Sequence, residues 1–91
     1  DMTKADIVSR IAEQTGIEKG NVTSVVEGFM EQLRDSLIGG ENVYLRGFGT
    51  FLLKHRAAKT ARNISKNTTM IVPAHTIPAF KPSKAFAAKV K

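Results

Sequence analysis

The chain has 91 residues, 42% of them hydrophobic and 24% charged, with no cysteine. That length holds one small domain and excludes a multidomain enzyme, the composition belongs to a folded chain and not a disordered tail, and disulfides and thiolate metal sites are ruled out. The net charge of +6 conceals a division: residues 1–41 carry four bases against all eight acids, and residues 42–91 carry ten bases and no acid. No apolar run approaches the roughly 18 residues of a membrane span, and the start has no secretory-type apolar region, so a cytoplasmic protein without a membrane partner is expected.

Thr3 precedes a helix-period run of Ile7, Val8, Ile11 and Ala12. With Asp6 three residues on it forms a capping box with a short acid. Gly16 suits the left-handed conformation that closes many helices, so a first helix is expected over about residues 4–15. Val22, Val25, Val26, Phe29, Met30, Leu33 and Leu37 form the broad stripe of a second helix over about residues 19–38, ended by Gly39-Gly40. The first helix is too short to cover that stripe. Part of it must meet the rest of the domain or a second copy of the chain.

From Asn42 the period changes to that of strands. Val43–Arg46 and Thr50–Leu53 flank Gly47-Phe48-Gly49, whose glycines permit the positive φ angles of a tight hairpin. Phe48, apolar at a turn, suits a subunit interface better than a monomer core. Residues 54–72 offer little that is large to bury, yet strand-like apolar sequence lies on both sides. A long antiparallel hairpin projecting from the body, turning near residues 63–67, accounts for this; a disordered loop is the plainer alternative. Pro73, Pro78 and Pro82 then confine the next strand, near residues 75–80, to a short or edge position. Ser83 can cap a closing helix over about residues 84–90.

Enzyme chemistry has little to stand on. Every acid lies in the first half, spaced as on solvated helix faces. His55 and His75 lack further zinc ligands and read as polar strand residues, and the glycines match no phosphate-cradling loop. What remains is a basic ribbon on which Lys54, Arg56 and Arg62 share one face by parity, with Lys59 on the other. Fifty residues without a carboxylate ask for a polyanion. Ile64, apolar at the expected tip, is costly in water unless it goes somewhere: insertion between base pairs is one destination, packing against the opposite strand the other.

Gly47-Phe48-Gly49-Thr50-Phe51, the Arg62-Asn63 pair in a basic arm, and Pro78-Ala79-Phe80-Lys81-Pro82-Ser83-Lys84 together resemble the HU and integration host factor family of bacterial DNA-binding proteins. The resemblance runs from Met2-Thr3-Lys4-Ala5-Asp6 to the end of the chain. It implies an α+β fold: an intertwined homodimer with an N-terminal helical hairpin (about residues 4–38), a short antiparallel sheet with long protruding β-arms (about 42–80) and a short C-terminal helix (about 83–90), in a single domain of residues 1–91. It also implies an architectural protein of the bacterial nucleoid that binds duplex DNA through the minor groove and phosphates with little sequence preference, and bends it. No cofactor, metal or catalytic residue is implied.

The family's arm contacts map onto Lys54, Arg56, Lys59 and Arg62, and its body contacts onto Lys4, Lys81 and Lys84; Arg46, Asn63 and Lys66 join them as candidates. Phe29, Leu33, Phe48, Phe51 and Phe80 are the expected dimer interface. Where the family carries a wedge proline at the tip this chain has Ile64, an accepted wedge residue. The usual tip Thr-Gly is Lys66-Asn67, and the glycine before Lys84 is Ser83. Three alternatives stay open: a sequence-specific bending protein like integration host factor, a heterodimer with a paralogous chain, and a basic RNA-binding protein. The last is disfavoured because residues 52–79 hold no Phe, Tyr or Trp for stacking.

Overall fold

The computed structural model describes the backbone of residues 1–63 and 68–90, and the side chains of residues 1–60 and 68–90. The elements run α1 (Lys4–Thr15), α2 (Lys19–Ile38), β1 (Val43–Leu45), β2 (Gly49–Arg56), β3 (Lys59–Asn63), β4 (Thr68–Val72), β5 (His75–Pro82) and α3 (Lys84–Lys89). They gather into two compact units, Asp1–Asp35 and Ser36–Lys91.

In the first unit α1 begins and ends where local chemistry dictates. The Thr3 hydroxyl accepts from the Asp6 amide at 3.3 Å and the Asp6 carboxylate accepts from the Thr3 amide at 3.0 Å, a reciprocal capping box. Those bonds, the backbone amide of Thr3 first and its side chain second, hold the Asp6 carboxyl below the usual carboxylate range. The helix closes on Gly16 at φ 74°, whose amide reaches the Ala12 carbonyl at 2.9 Å. Val8 and Val22 are buried, and Lys4 of α1 pairs with Glu27 of α2 at 2.9 Å.

The second unit opens with the last turn of α2. Gly40, at φ 88°, donates to Leu37 and Glu41 donates to Ser36, which is the Schellman closure of a helix. A three-stranded antiparallel sheet follows in the order β1-β2-β5, together with a two-stranded ribbon of β3 and β4. Phe51 lies opposite Phe80 with ring centroids 4.8 Å apart. Phe48 lies 5.2 Å from both Phe80 and Phe86, stacked on the latter. These four rings fasten α3 to the sheet; such aromatic pairs contribute about 0.5–1.5 kcal/mol each beyond the area they bury.

Three expectations are refined. The turn after β1 needs positive φ only at Gly47 (φ 79°), where the Phe48 amide closes back on the Leu45 carbonyl. Gly49 is already strand, and it is glycine for want of room: a Cβ there would lie 2.6 Å from the Lys81 carbonyl oxygen and from the Phe80 ring. The strand expected near residues 75–80 runs the full eight residues of His75–Pro82. It is an edge strand, as its prolines demand, but not a short one, because β2 supplies a partner along its whole length. The arm, finally, is not one unbroken ribbon. Its ladder stops between Arg56↔His75 and Lys59↔Val72, where Pro73 has no N–H to give, and resumes in the same register.

Candidate nucleic-acid interface

In an antiparallel sheet, paired residues share a face and successive residues alternate. One face of the β2–β5 pair therefore carries Phe51 with Phe80 and Leu53 with Pro78. The opposite face carries Thr50 with Lys81, Leu52 with Ala79, Lys54 with Ile77 and Arg56 with His75. Lys54, Arg56, His75 and Lys81 are all exposed. The aromatic side holds the fold, and the other presents three fixed cations and an imidazole.

Beside this face the β1–β2 turn and the start of α3 form a groove of about 400 Å³, lined among others by Tyr44, Arg46, Lys81, Ser83 and Lys84. Ser83 is part of its lining. Its hydroxyl donates to the Gly47 carbonyl at 3.0 Å and accepts from the Phe86 amide at 3.1 Å, while its own amide donates to the Phe48 carbonyl at 2.9 Å. The residue that departs from the family's glycine thus caps α3 and ties it to the turn. Residues 42–91 contain no Asp or Glu that could compete for these cations.

The fold brings together Arg46, Lys81 and Lys84 in the groove and sets Lys54 and Arg56 on the adjoining face. Lys59 stands exposed on β3 beyond the ladder break. Lys4 belongs to the first unit and is engaged with Glu27, both side chains about half exposed. Arg62 and Asn63 have their backbones in β3, where they pair with Thr69 and Thr68. Ile64 and Lys66 lie outside the described residues. Of the aromatic candidates, Phe48, Phe51 and Phe80 meet within the chain, and Phe48 keeps 45% of its surface and Phe80 38%. Phe29 is 49% exposed and Leu33 half-buried.

Two members of the face were missed from sequence. His75 reads as an ordinary strand residue until the register sets it beside Arg56, and Tyr44, 74% exposed, shares a row with Thr50 and Lys81. Parity within one strand is countable by eye. The partner across the sheet is not, until the turn and the register are known.

The sequence matches the family described as bacterial DNA-binding protein over residues 2–91. The chain belongs to that family. It is 39% identical to DNA-binding protein HU of Thermus thermophilus over 90 residues, covering 99% of this chain and 93% of that protein. It is 37% identical to the HU of Geobacillus stearothermophilus, covering 99% and 100%. Among solved structures, an Anabaena HU crystallised with DNA superposes with a TM-score of 0.93 at 34% identity, over 98% of this chain and 97% of that one. The HU of Thermotoga maritima gives 0.70 at 28% identity, over 99% and 100%. The α+β architecture is thus that of HU. Among the described residues no three His, Cys, Asp or Glu side chains gather as a metal site, and no helix is long and apolar enough to cross a membrane.

Proposed function

We propose that this chain is an architectural DNA-binding protein of the bacterial nucleoid, acting as a dimer whose two arms clasp duplex DNA and bend it with little regard to sequence. The observation that carries the reading is the acid-free basic face of β2 and β5, continuous with the Arg46–Lys81–Lys84 groove, on a chain that superposes on an HU crystallised with DNA. Phosphates along a duplex recur at fixed spacing, and each cation that meets one releases a condensed counterion. Arg56 offers a planar fork suited to bidentate phosphate contact, whereas Lys54, Lys81 and Lys84 act as point charges.

Pairing of two chains is supported by α2, whose Val25, Phe29 and Met30 leave 71%, 49% and 42% of their surface uncovered in a single chain. Apolar surface of that extent on one helix stabilises an assembly when covered and destabilises the protein when left wet. At the tip, Ile64 in the place of the family's proline serves as the wedge between base pairs.

The test is a salt titration of duplex binding by fluorescence anisotropy. For a dimer that neutralises about 6–10 phosphates, affinity falls about 10³–10⁵-fold between 50 and 200 mM salt, and Arg56→Ala lowers the slope by about one per protomer on every sequence tried. An affinity indifferent to salt contradicts the proposal. Energy transfer across a labelled duplex reads the bend, which Ile64→Ala reduces while leaving most of the affinity in place.

A further inference from the structure

We propose that His75 is a proton-dependent phosphate contact of the DNA-binding face, so that DNA binding takes up a proton at each arm. This rests on the DNA-binding reading above and goes beyond it by adding a residue and a control variable. His75 opens β5 directly opposite Arg56, on the same face as Lys54 and Lys81, and it is exposed. Its Nδ1 lies 3.0 Å from the Pro73 carbonyl oxygen. A carbonyl only accepts, so Nδ1 carries the hydrogen and Nε2 is the position left to take or release a proton. Protonation there converts an acceptor, which phosphate oxygens repel, into a charged donor that they bind.

The surroundings favour this use of the ring. On its own strand the same face carries Ile77, Ala79 and Lys81; on β2, the strand paired with it, the face carries Thr50, Leu52, Lys54 and Arg56. No carboxylate faces it from either strand, because residues 42–91 contain none. Neither β2 nor β5 therefore supplies a salt-bridge partner for the imidazolium, and the phosphates of a bound duplex are the anions that this proposal sets beside it. His55 serves as a natural control: it pairs with Thr76 and stands on the opposite face of β2.

The experiment measures binding of one duplex by fluorescence anisotropy at pH 7.5 and pH 5.5, across a salt series, for the wild type, His75→Gln, His75→Lys and His55→Gln. The expected gain for the wild type on lowering the pH is about threefold per arm, the scale of an exposed charge pair. Its salt slope should steepen by about 0.9 per protomer. His75→Gln loses that gain, His75→Lys binds alike at both pH values, and His55→Gln keeps the wild-type ratio. A wild-type affinity that ignores pH, or a gain that survives in His75→Gln, overturns the proposal while leaving DNA binding intact. Absence of salt-dependent binding at either pH overturns the DNA-binding reading and this proposal together.

Discussion

The base of the arm and its outer half share one register but are made of different material. At the base, Phe51 and Phe80 belong to a cluster of four aromatic rings, and Phe51 and Leu53 on that face of β2 are half-buried. In the outer half, β3 and β4 form a two-stranded ribbon on which Met70 is 55% and Ile71 78% exposed. An isolated two-stranded hairpin is marginal in water, since its ladder alone scarcely offsets the entropy of ordering it. The base is therefore held by packing within the chain, and the outer half has little more than its own ladder.

That contrast can be broken in order of expected effect. Gly49→Ala drives a Cβ to within 2.6 Å of the Lys81 carbonyl oxygen and the Phe80 ring, so urea unfolding should show a loss of about 3 kcal/mol, the upper part of the range for overpacking. Phe86→Ala removes the ring stacked on Phe48 and frees α3; because Phe86 is only half-buried, the loss should be about 2 kcal/mol, below that of a fully buried phenylalanine. Ser83→Ala deletes both the α3 cap and the bond to Gly47, with a loss of about 1 kcal/mol in the same measurement. Ile71→Thr, in the outer half, should change the unfolding free energy by less than about 0.5 kcal/mol, as for an exposed site without partners. A loss from Ile71→Thr as large as that from Phe86→Ala would erase the distinction between the two halves.

Legibility in the sequence followed the range of the forces involved. Both long helices were readable to the residue, because Thr3, Asp6, Gly16 and the α2 stripe act within a few positions of one another. The shared face of Lys54 and Arg56 was readable for the same reason, strand parity being local. The length of β5 was not, since three prolines argue against it locally and only a full-length partner overrides them. Gly49 was misread as a turn residue because its constraint comes from Lys81, 32 positions along the chain. The joining of Arg46, Lys81 and Lys84 around one groove likewise depends on the sheet and on the two bonds that Ser83 makes to the turn.

The interruption at Ala57-Ala58 has a further consequence. Two residues are missing from the ladder on each side, so Lys59 meets Val72 in the frame that Arg56 and His75 leave behind. Deleting one residue from that gap would turn every later side chain of β3 to the opposite side, and the cations of the far half would then address the wrong wall of their target.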